Sequence, residues 1–122
     1  MFIFFAMTKS YSDTYRLNDT VFISGQIGDD SSGNIPADFE KQLRNAFGNL
    51  INRLADESLD LSNIAKLNVY LTNNDQYKIL NSVSAEFFNS NKPARTTLIV
   101  SELPRNNGEQ IILVEIDAVA GK

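Results

Sequence analysis

The sequence predicts an α+β fold in which two amphipathic helices cover one face of a β-sheet. Three observations carry this expectation. Apolar residues recur at helical spacing in two stretches, Asp38 to about Ala55 and the segment after Asn73 to about Phe88. Around them lie runs that alternate apolar with polar residues at period two, as strands with one buried face do. No linker or internal repeat divides the chain, so residues 1–122 read as one domain, long enough to bury a core without metal or disulfide staples.

The elements follow in order. Met1-Phe2-Ile3-Phe4-Phe5-Ala6-Met7 is apolar but too short to cross a bilayer, which takes roughly 20 residues, and it lacks a basic leader. Its aromatic and β-branched content reads as a first strand, with an alternative start site or a loose tail as competing readings. Thr20-Val21-Phe22-Ile23-Ser24 is a strand stopped by Gly25 and followed by the turn-rich Gly28-Asp29-Asp30-Ser31-Ser32-Gly33-Asn34. The first helix has one apolar stripe, Phe39, Leu43, Ala46, Phe47, Leu50, Ile51 and Leu54. Ile64 to Leu71 alternates as a strand, and Asn73-Asn74-Asp75 offers N-caps for the second helix. The second stripe is Tyr77, Leu80, Val83 or Ser84, and Phe87, and Asn89-Ser90-Asn91-Lys92-Pro93 ends it. Two strands close the chain, Arg95 to about Val100 and Gln110 to about Val119, and Arg105-Asn106-Asn107-Gly108-Glu109 between them suits a hairpin.

Composition removes whole classes of chemistry. Without Cys or His there are no disulfides, thiolate nucleophiles, Ser-His or Cys-His triads, or ordinary zinc sites. General acid-base work falls to Asp, Glu, Lys or Tyr. The net charge of -4 and the scattered Lys and Arg argue against nucleic acid as a partner. No membrane role follows from the N-terminal segment.

Two charges stand in apolar strand runs, Arg95 and Glu115. Burying an ion is costly unless it is paired, so either a mutual salt bridge or a small anionic ligand explains them. In the last strand Ile112, Val114, Ile116 and Ala118 suit the helix side, leaving Ile111, Leu113, Glu115 and Asp117 on the other. Assigning Leu98 and Val100 to the helix side puts Arg95, Thr97 and Ile99 on the open face with Glu115. Leu67, Val69 and Leu71 point inward, with Lys66, Asn68, Tyr70 and Thr72 outward. The open face is too apolar to stand in water, which predicts a homo-oligomer with polar clefts at its interfaces.

An ordered set of short motifs then resembles the Rid (YjgF/YER057c/UK114) family. The residues are Tyr11-Ser12, Val21-Phe22-Ile23-Ser24-Gly25-Gln26-Ile27, Asn81 within Ile79-Leu80-Asn81-Ser82-Val83, Phe87-Phe88, Lys92-Pro93-Ala94-Arg95, Leu103-Pro104 and Val114-Glu115-Ile116-Asp117-Ala118-Val119-Ala120. The resemblance implies a chorismate-mutase-like β-β-α-β-α-β-β subunit with helices on one face of a mixed sheet. It also implies a homotrimer around a central β-barrel, with a ligand cleft at each subunit interface. The implied activity, most familiar in the RidA branch, is hydrolysis of 2-imino acids to 2-keto acids and ammonia, without cofactor or metal and in the cytoplasm.

On that reading Arg95 grips the substrate carboxylate, and Glu115 holds the attacking water and trades protons with the departing amine. Tyr11 closes the cleft, Ser24, Gly25 and Thr97 orient the bound acid, and Asn81 supports them. Structural alternatives stand beside each role. Arg95 pairs with Glu115 or Asp117, Glu115 is an interface charge, Tyr11 packs as an aromatic, Gly25 relieves backbone strain, or Asn81 anchors helix to loop. Asp117 reads as a rim or inter-subunit charge. Four departures from the family pattern stand out: Lys9-Ser10 in place of Gly-Pro before Tyr11, a shorter and more aromatic N-terminal segment, Thr97 where cysteine is common, and a longer stretch from Leu103 to Glu115. The rival functions are a carboxylate-binding regulatory module without turnover and an RNA-directed activity, for which no basic stripe or metal constellation is visible.

Overall fold

The computed structural model describes residues 9–105 and 110–122. Five strands and two helices follow one another as β1 (Thr14–Leu17), β2 (Thr20–Gln26), α1 (Phe39–Asp56), β3 (Ile64–Leu71), α2 (Tyr77–Phe87), β4 (Ala94–Ile99) and β5 (Val114–Gly121). This is the β-β-α-β-α-β-β order expected. The first strand, however, is Thr14–Leu17, a short hairpin partner of β2 that the sequence reading did not find. The strand expected at Met1–Met7 lies outside the described residues.

The sheet order is β1-β2-β5-β3-β4, with β3 and β4 parallel and the other pairs antiparallel. The last strand is therefore inserted at the centre, between β2 and β3. This corrects the expected β4–β5 hairpin, whose turn residues Asn106 to Glu109 lie outside the described residues. A turn-rich sequence between two strands fits a hairpin, but it fits a crossover past β3 equally well, and the vacant edges of β2 and β3 reward the crossover with two ladders instead of one.

Local chemistry places the helices. Asp38 caps α1, its side chain accepting from the Lys41 amide at 3.1 Å, and Asn73 caps the 3-10 turn Asn74–Gln76 that leads into α2. Leu43, Phe47, Leu50 and Leu54 of α1 and Leu80 and Val83 of α2 are buried against Val21, Ile23, Leu67, Val69, Leu71, Val114, Ile116 and Ala118 of the sheet. Phe47 stacks on Phe87 with ring centroids 4.7 Å apart and meets Phe88 edge-on at 5.8 Å, which locks the two helices together.

One buried polar residue was not legible as core. Gln42 is fully buried on α1, and its amide nitrogen donates to the carbonyls of Pro36 (2.8 Å) and Ile111 (2.9 Å). Its amide oxygen accepts from the Leu113 amide at 2.9 Å. The side chain thus ties the chain entering β5 to the helix layer. Replacing it with leucine removes three hydrogen bonds and strands the backbone groups they served. Gln42→Leu is expected to lower stability by about 3 kcal/mol, read as a reduced urea midpoint at unchanged slope.

Candidate functional site

The site begins with the alternation of β5. Val114, Ile116, Ala118 and Ala120 are buried under the helices, so Glu115 and Asp117 project from the centre of the open face. Register sets Tyr70 opposite Glu115 and Asn68 opposite Asp117 on β3. The Asn68 amide donates to the Asp117 carboxylate at 2.8 Å, and Asp117 beside the Tyr70 phenol keeps it protonated, raising the Tyr70 pKa.

On the other side of β5, the ladder with β2 shifts register between Ile23 and Gln26, and Gly25 sits in that irregularity. A Cβ on Gly25 would stand 2.7 Å from Glu115 Cδ, so glycine makes room for the carboxyl group. Gly33 is the glycine with positive φ among the described residues, so Gly25 is there for space and not for backbone strain. The Glu115 pKa is raised, first by burial and then by the charge of Asp117.

Glu115 and Asp117 line a cleft of about 980 Å³ that also contains Tyr11, Ser24 and Gly25. The Ser24 hydroxyl donates to the Ser12 carbonyl at 2.6 Å, and its amide donates to the Asp13 carbonyl at 3.0 Å. Ser24 therefore holds the segment that carries Tyr11 against β2. Tyr11 itself is 60% exposed, reaching over the cleft without packing into the core.

The remaining predicted residues form a second cluster. Arg95, Thr97 and Ile99 of β4 stand in register with the buried Leu67, Val69 and Leu71 of β3, so they lie on the helix side. Contact with α2 agrees: Arg95 Nη2 donates to Asn81 Oδ1 at 2.7 Å and approaches the Tyr77 hydroxyl at 3.4 Å. The guanidinium carbon is 5.7 Å from the Tyr77 ring centroid.

This corrects the expectation that Arg95 and Glu115 share one sheet face on neighbouring strands. They lie on opposite faces with β3 between their strands. The error came from treating Leu98 as a core residue. At an edge strand both faces stay partly open, and Leu98 and Ile99 are 50% and 48% exposed, so apolar alternation there does not report the core. The alternative ion pair also fails, because among the described residues no carboxylate pairs with Arg95. Asn81, for which anchoring helix to loop was the alternative, holds the guanidinium through that hydrogen bond. Tyr77, assigned by sequence to the apolar stripe, was missed as its companion, although Tyr77 and Asn81 are spaced one helical turn apart.

The family model described as endoribonuclease L-PSP matches residues 5–122. The chain belongs to this family, the Rid family of the resemblance above. A RutC family protein of Aquifex aeolicus is 36% identical over 109 residues, covering 87% of each chain. The 2-iminobutanoate/2-iminopropanoate deaminase of Dermatophagoides farinae is 32% identical over 110 residues, covering 86% of each. Among solved structures, E. coli TdcF with bound serine superposes with a TM-score of 0.85 at 28% identity, covering 94% of this chain and 90% of the other.

The raised Glu115 pKa makes stability depend on pH in this Rid-family chain. Glu115 binds its proton more tightly folded than unfolded, so this contribution is present at low pH and is lost as pH rises through the raised value. Glu115→Gln, which stays neutral, is expected to be more resistant to urea than the native protein at pH 7.5. The difference should vanish below about pH 4, where the native carboxyl is also protonated in both states.

Proposed function

We propose that this Rid-family protein hydrolyses reactive 2-imino acids to 2-keto acids and ammonia. Its substrates are the imines that arise from 2-aminoacrylate and its four-carbon analogue when pyridoxal-phosphate enzymes release them, and its place of action is the cytoplasm. The observation that carries this reading is that two complementary half-sites are each built and each incomplete. Among the described residues, Arg95 is held by neutral partners and pairs with no carboxylate, while Glu115 stands in a cleft and pairs with no cation.

A second copy of the chain completes the site. Tyr15, Leu17, Phe22 and Leu98 are 45% to 63% exposed apolar residues, and by register they share the open face with Glu115. Covering that face by homotrimerisation, with the three sheets forming a central barrel, removes this surface from water. In such an assembly the β4 edge of one subunit borders the Glu115 cleft of the next. Arg95, Thr97 and Asn81 come from one subunit, and Glu115, Tyr11, Ser24 and Gly25 from its neighbour.

The chemistry suits these groups. Arg95, oriented by Asn81 and Tyr77, grips the 2-imino acid carboxylate with two parallel hydrogen bonds, and the Thr97 backbone helps to position it. Water adds to the carbon of the protonated imine while Glu115 takes one of its protons. The resulting carbinolamine receives a proton on nitrogen from Glu115, the C–N bond breaks, and ammonia leaves. Loss of the hydroxyl proton gives the keto acid. The deaminase named among the relatives supports this reading, at 32% identity. A second reading, carboxylate binding without turnover, is favoured by the serine held in the TdcF relative.

Coupling the purified protein to a threonine dehydratase and threonine distinguishes the two, through the rates of imine loss and keto-acid appearance. The native protein is expected to accelerate both, and Arg95→Ala and Glu115→Gln are each expected to lower the acceleration by roughly 100-fold or more. No acceleration by native protein leaves the binding reading in its place. Mixing the two variants after dissociation and reassembly should restore about a quarter of native activity, since random trimers regain one-quarter of their shared sites. Failure to restore any activity would show that Arg95 and Glu115 do not meet across an interface.

A further inference from the structure

The open face carries a second carboxylate for which neither the family resemblance nor the proposed reaction supplies a role. Asp117 lies two residues from Glu115 on the same face of β5, about 7 Å away along the strand. Neutral groups from β3 surround its oxygens: the Asn68 amide donates at 2.8 Å, and the Tyr70 phenol lies beside them. No described cation pairs with it. The nearest candidate on β3, Lys66, turns to the Thr96 hydroxyl at 2.8 Å instead.

We propose that Asp117, anchored by Asn68 and Tyr70, is a positioning residue that tunes Glu115 to deliver a proton to the departing amine. The proposal rests on the deaminase reading above. A bland surface carboxylate would be free to turn to solvent, whereas this one is held by the Asn68 amide and flanked by Tyr70, both placed by strand register. Neutral donors hold the carboxylate in place without cancelling its charge.

The other charged groups around the cleft are largely spent on one another. Before β1, Lys9 and Asp13 pair at 2.6 Å. From α1, Arg53 approaches Asp56 at 3.1 Å and Asp13 at 3.9 Å. Asp29, in the loop after β2, accepts from Asn49 at 2.9 Å. From β3, Tyr70 faces Glu115 as a neutral phenol, and from β2 the facing residue is Gly25, which has no side chain. Among the described residues of one subunit Asp117 is thus the charge that acts on Glu115, and the raised Glu115 pKa has that charge as its second cause after burial. A carboxyl group that must accept a proton from water and then return it to nitrogen works best when its pKa approaches the working pH. Arg95 cannot substitute for this role, because a guanidinium brought to the site favours the ionised carboxylate and lowers its pKa.

The test is a carbon-detected NMR titration of the Glu115 carboxyl in the native protein, Asp117→Asn and Asp117→Glu, run beside the coupled imine assay. Asp117→Asn is expected to move the Glu115 midpoint down, to shift the matching limb of the pH–rate profile with it, and to reduce kcat about tenfold at nearly unchanged KM. Asp117→Glu, which keeps the charge, should restore the midpoint and bring kcat within about threefold of native. A Glu115 midpoint that is the same in native protein and Asp117→Asn overturns the assignment, whatever the rates. If Asp117→Asn does not fold, Asn68→Ala, which frees the carboxylate to turn away, is read in its place and must lower the midpoint. A midpoint that moves in a protein whose native form never accelerates imine loss overturns the proton-delivery role together with the deaminase reading. The titration alone therefore separates failure of the Asp117 coupling from failure of the proposed reaction.

Discussion

Everything about the site depends on β5 being buried on one face at the centre of the sheet. It is the last strand in sequence, yet it pairs with β2 on one side and β3 on the other. Its inward residues from Val114 to Ala120 are at most 2% exposed. A strand so constrained cannot slip by one residue without exchanging its apolar set for Glu115 and Asp117. The hydrophobic effect on one face thus fixes two carboxylates on the other, where burial is partial and the pKa of Glu115 rises.

The neighbouring elements accommodate that placement. The register shift in β2 and the missing side chain of Gly25 leave room for the Glu115 carboxyl. Ser24 then uses its hydroxyl and its amide to hold the segment bearing Tyr11 over the same cleft. In the helix layer Gln42 does comparable work for the chain entering β5, joining its backbone to α1. Each is a polar contact at a point where the backbone leaves regular ladder pairing, where its donors and acceptors most need partners.

Arg95 is held in a different way, and the difference matters for function. Its partners are a neutral amide and a phenol one helical turn apart on α2, so its direction is set while its charge remains available. A carboxylate in place of Asn81 would fix the guanidinium equally well but would also occupy it. Edge position leaves Arg95 accessible, and central position gives Glu115 a partly desolvated setting. One chain provides both, but on opposite faces of its sheet.

The sequence by itself determined the helices and the inward faces of β3 and β5, and it supplied the candidate site residues. Period-two and helical-period burial are imposed locally along each segment, so Leu67, Val69, Leu71, Val114, Ile116 and Ala118 announce their side. The motif order from Tyr11 to Ala120 was also enough to place the chain in its family. Tertiary structure alone decided which strands are neighbours, and so which charges meet. The turn residues before β5 fitted a hairpin, but the free edges of β2 and β3 offered two ladders. Leu98 looked like core, but at the edge of the sheet neither face is fully covered, and pairing with β3 turned Arg95 toward α2. Gln42, Tyr77 and the space beside Gly25 were invisible for the same reason. Their roles arise from partners distant in sequence, and no local pattern encodes a partner.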